Sequence, residues 1–310
     1  MQDALLAVLL PLYGLLACGF LAGRSGVMEA SHSGVLNKFV FSFSMPAFVF
    51  VSLSRVDAGK FFDWPFLGTL FSGMLIMLLT GFALARWRFD RTLAEGAVIG
   101  LSAMYSSTGY IGLPLLLLAF GDQALLPGVI GAVITGGVFM PIGIALAELG
   151  AREEGESRVL APILGVLRNP VMIATFAGLL VAAIPIPLPA AVSTLCDILG
   201  QAYIPCALFA AGLFLSGSTA FTDRTESSCI ILIKLIAHPA LTWFLGHTIF
   251  GLDGLLLFIA VLQAALPAGV PVFVLAQYYR AAPSLANQVV TYSTIASMLT
   301  VPIWILALSN

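Results

Sequence analysis

An all-α integral membrane protein of ten transmembrane helices, built as two inverted five-helix repeats, is the fold this sequence predicts. Three observations lead there. Hydrophobic residues make up 60% of the 310 and charged residues only 9%, against about 45–50% and about 25% in soluble domains. Apolar blocks of spanning length follow one another almost without interruption, and mean hydropathy is +1.06. Prolines and glycines recur at a fixed offset between the two halves. A chain so poor in polar surface cannot cover itself in water, which excludes a soluble enzyme and a disordered region. A net charge of -2 leaves no basic footprint for nucleic acid.

A spanning helix needs about 20 apolar residues. Hydropathy and loop signals place helices near 4–23, 33–53, 64–86, 93–119, 124–147, 162–184, 189–217, 227–250, 253–279 and 287–308. The first is not a cleaved leader, because it opens with Asp3, has no leading Lys or Arg and is too long. With the N terminus outside, eleven basic residues (Arg24, Lys38, Arg86, Arg88, Arg91, Arg152, Arg158, Arg168, Arg224, Lys234, Arg280) face the cytoplasm and two, Arg55 and Lys60, face out. That asymmetry puts both termini on the extracytoplasmic side. Lys38, Arg168 and Lys234 lie inside their helices and are expected to snorkel. The charged run 148–158 reads as a cytoplasmic loop, giving residues 1–147 as one repeat, 148–161 as the connection and 162–310 as the second repeat.

The repeat is legible in spacing. Pro11 and Pro170, Pro46 and Pro205, and Gly19 and Gly178 each differ by 159, and Pro141 and Pro302 by 161. These pairs fall in spans one and six, two and seven, and five and ten. Five helices per copy is an odd number, so the second copy enters the membrane from the opposite side. Inverted repeats are the architecture of alternating-access carriers, with substrate bound near mid-membrane. The fourth and ninth spans carry matched interruptions: Ser106-Ser107-Thr108-Gly109-Tyr110-Ile111-Gly112-Leu113-Pro114 and Leu266-Pro267-Ala268-Gly269-Val270-Pro271. Proline removes a backbone donor and glycine weakens a helix, so both spans are expected to unwind there, and their half-helix N-termini suit a carboxylate.

These segments, with Leu36-Asn37-Lys38-Phe39 leading to Met45-Pro46, Arg168-Asn169-Pro170 and Phe273-Val274-Leu275-Ala276, give a chain that resembles the auxin efflux carrier family along essentially its whole length. The resemblance implies that broken helices four and nine cross. It further implies a scaffold of helices one, two, six and seven, a transport unit of helices three to five and eight to ten, and a homodimer through the scaffold. Secondary transport of small carboxylates such as malate, malonate or auxin-like acids follows from it. Ser107 stands where members commonly carry Asn, and Pro271 where many bacterial members carry a polar residue. The short central loop is of the bacterial kind, which places the chain in a cell inner membrane.

Candidate substrate-binding residues are therefore Ser107, Thr108, Gly109, Tyr110, Pro114, Pro267, Ala268, Gly269 and Pro271, faced by Ser44 and Pro46 of span two and Gln201 and Tyr203 of span seven. Coupling candidates are Lys38, Asp197 and Gln263. Lys38 either meets an anion on its access path or snorkels to the headgroups. Asp197, about 12 Å into its span at 1.5 Å per residue, either couples protons or sits at the interface. His238 either titrates or packs against a neighbouring helix. Glu95 opens span four, where a carboxylate suits the helix N-terminus. Cys18, Cys196, Cys206 and Cys229 lack metal or disulfide spacing and read as free buried thiols. No metal motif, nucleotide loop or nucleophile elbow is present, so no cofactor and no catalysis are expected. The lipid bilayer and a small carboxylate are the expected partners.

The function predicted is elevator-like alternating-access transport of an organic anion, driven by membrane potential, worth about 2.3 kcal/mol per charge per 100 mV, or by a proton gradient. Two alternatives remain open at this point: a sodium-coupled symporter of the bile-acid type using Gln263, Thr135 and Ser293, and a non-transporting membrane sensor.

Overall fold

In the computed structural model of the chain, residues 2–55, 63–151, 170–184, 188–217 and 224–308 are described. Lys60, Arg152, Arg158, Arg168 and Asn169 lie outside them, as does most of the expected central loop. Among the described residues every regular element is a helix. They are α1 (Gln2–Arg24), α2 (His32–Leu53), α3 (Trp64–Trp87), α4 (Leu93–Met104), α5 (Leu113–Phe120), α6 (Leu125–Val133), α7 (Met140–Ala151), α8 (Pro170–Ala183), α9 (Ala190–Gln201), α10 (Tyr203–Ser216), α11 (Arg224–Ile249), α12 (Gly254–Ala265), α13 (Val270–Tyr278) and α14 (Pro283–Leu308). Among the described residues six helical runs, such as Trp64–Trp87 and Pro283–Leu308, are long and apolar enough to cross a membrane. The chain is a membrane protein. Two boundaries move from expectation: α7 continues through Glu148 to Ala151, and α14 begins at Pro283, where a first-turn proline costs no hydrogen bond.

Four of the prolines in these helices share one device, whereas Pro11 and Pro302 lie within continuous α-helix. Wide π-helical turns occupy Val40–Ser44, Thr108–Gly112, Ile134–Phe139 and Ile233–Ala237, and Pro46, Pro114, Pro141 and Pro239 each follow two residues after such a turn. A proline cannot donate to the carbonyl four residues back, and its ring collides with it. Widening the preceding turn moves that carbonyl aside and keeps the helix running. Capping is set by sequence as well. Asp63 accepts from Phe66 N–H at 2.8 Å to start α3. Thr92 and Glu95 form a reciprocal capping box at α4, the role read for Glu95.

The chain forms two compact units, one of residues 1–62, 109–129 and 164–217, the other of residues 63–108, 130–163 and 218–310. In the first, α1 packs along α10 and α2 against α8 and α9. Backbones touch where side chains are missing. A Cβ on Gly19 would lie 2.0 Å from the Phe209 carbonyl oxygen, one on Gly212 1.8 Å from that of Leu16, and one on Gly178 2.8 Å from that of Phe50. Small residues permit this approach where lipid offers no hydrophobic drive for helix association. Gly19 and Gly178 are 159 residues apart, and so are their partners Phe50 and Phe209.

In the second unit α3 lies along α4, and α4 against α7. Arg91 joins two helices, reaching Glu226 of α11 at 2.7 Å and Glu95 of α4 at 3.2 Å. Trp304 of α14 donates its indole N–H to the Leu235 carbonyl of α11 at 3.0 Å, which ties those two helices together.

Replacing Gly19 or Gly212 with Ala is expected to separate α1 from α10, at a cost of order 1–3 kcal/mol. Gly178→Ala should cost less, and Gly14→Ala, with nothing within 4 Å of the added methyl, should be neutral. Thermal midpoints in detergent check this ranking.

Candidate functional site

The site begins with two helices that stop. Proline at 267 has no N–H, and its ring drives the preceding Leu266 into extended backbone (φ -63, ψ 153), so α12 ends at Ala265. Tyr105 is also extended (φ -67, ψ 103) and ends α4. Each end strands backbone groups that must be satisfied away from water. They are satisfied by one another. Ser107 N–H donates to Pro267 C=O at 2.9 Å, and Gly269 N–H donates to Tyr105 C=O at 3.1 Å, so that Ser106 and Ala268 form an antiparallel β-bridge. Ala268 N–H, the donor α12 would have used, goes instead to Ser293 Oγ of α14 at 3.0 Å.

That leaves the Ala264 carbonyl, in the last turn of α12, without its helical partner. Lys234 of α11 takes it. The Lys234 Nζ lies 2.6 Å from Ala264 O, 2.9 Å from Ser106 Oγ and 3.3 Å from His238 Nδ1. The ammonium position is at the carbonyl end of α12, where the helix dipole favours a cation, and in contact with the bridge residue Ser106. Lys234 is 0% exposed and His238 1%.

Two readings are thereby corrected. Lys234 does not snorkel to a headgroup, because stranded oxygens lie within its reach. His238 is buried, but its ring contact is to Lys234 one turn earlier on its own helix, not to a neighbouring one. Sequence reasoning thus missed Lys234 and Ser106. The signal was available: a lysine seven residues into the expected span 227–250, followed by histidine at the i+4 position on the same face.

The other expected residues divide between the units. In the second unit Ser107, Thr108, Pro267, Ala268 and Gly269 are buried at the paired breaks, with Pro271 half-buried in the first turn of α13. The break itself is at Tyr105–Ser107, at the start of the expected Ser106–Pro114 stretch. Pro114, in the first unit, follows the wide turn Thr108–Gly112, which runs without a stop into α5. Gln263 is buried on α12 with its amide against Gly131. Thr135 donates to Gly131 C=O of its own helix at 2.7 Å.

In the first unit, the chain enters at Gly109, whose carbonyl accepts the Tyr203 hydroxyl. The Tyr203 ring packs on Phe48 with centroids 5.4 Å apart, and the Met45 methyl lies against Gly109. Ser44 is fully buried, whereas Tyr110 and Pro46 are partly covered. Gln201 at the end of α9 is exposed, as is Lys38. Asp197 pairs with Arg55 at 3.0 Å, and its side chain is 41% exposed. Cys18, Cys196, Cys206 and Cys229 are free thiols but not buried as expected: Cys18 is exposed and the other three are half-buried, on helix faces not fully covered by protein.

Because Ser293 supplies the acceptor for Ala268 N–H, Ser293→Ala is expected to strand a buried donor at a cost of about 1–3 kcal/mol. Ser293→Thr, which keeps the hydroxyl, should preserve it. Gly269→Val, whose Cβ would fall 2.8 Å from the Tyr105 ring, should disturb the same pairing. Thermal melting of the three variants in detergent, with Ser293→Thr nearest to the wild type, checks the assignment.

Residues 4–305 match the family described as membrane transport protein. The chain is 28% identical over 298 residues to a Rhizobium meliloti (strain 1021) protein named "Putative malonate transporter", covering 95% of this chain and 92% of that one. It is 25% identical over 305 residues to the uncharacterized transporter YfdV of Escherichia coli (strain K12), covering 96% and 95%. To auxin efflux carrier component 8 of Arabidopsis thaliana it is 25% identical over 343 residues, covering 93% of each chain. The expected resemblance therefore holds along the chain, and the protein belongs to the membrane transport protein family of the auxin efflux carriers.

Proposed function

We propose that the chain is a secondary transporter of small organic acid anions, malonate-like dicarboxylates foremost, working by elevator-like alternating access. The observation that carries this is the pair of mutually hydrogen-bonded helix breaks with a buried lysine against them. Irregular backbone within a spanning region persists where it lines a binding cavity or is met by protein. Here it is accompanied by a positive side chain and by the amino end of α13, both complementary to a carboxylate. Ser107 and Thr108 supply the hydroxyls that would orient the acid, while Ala268 and Gly269 bring backbone close to it.

Other features support the reading. The paired breaks lie wholly within the second compact unit, so a ligand held there would be carried with it. Gly19–Phe209 and Gly178–Phe50 are contacts related by one sequence offset, as an internal duplication requires. An odd number of spans per copy makes that duplication inverted, with ten spans in all. Removing the buried Lys234 from the charge count leaves ten basic residues against two, which still favours both termini outside a bacterial inner membrane. The name of the Rhizobium relative points to malonate as the first acid to try.

Purified protein in proteoliposomes should take up labelled malonate saturably under an imposed membrane potential or proton gradient, without sodium. Malate and a monocarboxylate complete the panel. Uptake that appears only with a sodium gradient would replace this reading with sodium symport, and ligand binding without uptake would make the protein a sensor. Ser107→Ala, losing one hydrogen bond to a charged group worth about 1.5–3 kcal/mol, is expected to weaken malonate affinity by about tenfold or more.

A further inference from the structure

We infer that Lys234 and His238 form a proton-binding pair that takes up one proton when a carboxylate binds at the paired breaks. The inference rests on the carboxylate reading above and adds the coupling ion to it. Both side chains are buried, and a permanent ammonium at such a place is costly unless a counter-charge neutralises it. Among the described residues no carboxylate is bonded to Lys234. The helices packed against α11 here are α3, α4, α12 and α14. Their ionisable groups are Arg86 on α3, Glu95 on α4 and Tyr292 on α14, while α12 carries none; Tyr105 stands in the break itself. On α11, Glu226 and Arg224 lie at one end and Cys229 a turn further in, with His247 at the other. Glu95 and Glu226 hold Arg91, and Asp253 holds His247.

The geometry accepts either protonation state without losing a hydrogen bond. In the neutral pair, His238 Nδ1–H donates to the Nζ lone pair, and the amine donates to Ser106 Oγ and Ala264 O. In the charged pair, Nζ donates all three hydrogens, to Ser106 Oγ, Ala264 O and the Nδ1 lone pair, and the ring proton resides on Nε2. The change adds a single proton. It arrives at Nε2, and the proton on Nδ1 passes across the 3.3 Å contact to Nζ. An arriving carboxylate supplies the missing negative charge and draws that proton in, so anion and proton are loaded together. The position 159 residues earlier holds Leu75, so the charge belongs to one repeat and has no counterpart in the other.

Titration calorimetry of malonate into the purified full-length protein, at one pH in buffers of different ionisation enthalpy, counts the protons exchanged. Wild type should take up about one proton per malonate bound. Lys234→Gln, which also removes the positive charge facing the carboxylate, should bind malonate more weakly and with that uptake abolished; His238→Gln should lose the uptake too, and Asp197→Asn should leave it unchanged. Binding without proton uptake in the wild type would overturn the inference while leaving the carboxylate reading intact. It also falls if Lys234→Gln or His238→Gln binds with uptake preserved, or if Asp197→Asn abolishes it. Heat from none of malonate, malate or a monocarboxylate would remove the carboxylate reading itself, and the inference with it. Should both pair variants fail to fold, the wild-type and Asp197→Asn measurements still decide.

Discussion

Two helical ladders are broken inside an apolar chain, and every backbone group they release must find a partner within the protein. Water satisfies such groups at the ends of soluble helices, but the interior of a membrane protein offers none. At the breaks after α4 and α12 four such pairings are made. Tyr105 C=O is met by Gly269 N–H, Pro267 C=O by Ser107 N–H, Ala268 N–H by Ser293 Oγ, and Ala264 C=O by Lys234 Nζ. Removing any one of them leaves another group stranded. This mutual dependence fixes the register of the two breaks against each other and fixes where the lysine head must lie.

The remaining helices solve milder versions of the same problem. Pro46, Pro114, Pro141 and Pro239 each remove one donor, and a widened turn just before each spreads the disturbance over several residues. A helix so treated continues, whereas α12 stops, because Leu266, Pro267 and Gly269 all adopt or tolerate extended backbone and a partner strand is waiting. The difference between a kink and a break lies in the partner, not in the proline.

The 159-residue offset relates close backbone contacts but not the buried charge. Gly19 against Phe209 and Gly178 against Phe50 preserve one close contact in two places, since a glycine at a backbone contact leaves no room for variation. Lys234 has no such twin. In the proposed carrier that single charge would make the two copies differ in electrostatics, which a charged cargo would sense.

Much of this protein was legible before any coordinates. Composition alone required a membrane, hydropathy placed the helices to within a few residues, and the spacing of Pro46, Pro205, Gly19 and Gly178 exposed the internal offset. The interruption of the ninth span at Pro267 was readable because proline acts locally. The interruption of the fourth is expected over Ser106–Pro114 and is confined to Tyr105–Ser107; nothing local ends the helix at Tyr105, and the partner segment at Pro267, 160 residues from Ser107 in sequence, does. Lys234 was misread for the same reason. Its local sequence says only that a long cationic side chain sits in an apolar helix, and the expected escape is toward the headgroups. Asp197 likewise looked deep until Arg55 came beside it. Sequence by itself determined which segments are helical and where their ladders are weak, because those are properties of neighbouring residues. Tertiary structure alone decided which stranded group meets which, because hydrogen bonds across the breaks join residues whose positions in the chain say nothing of one another.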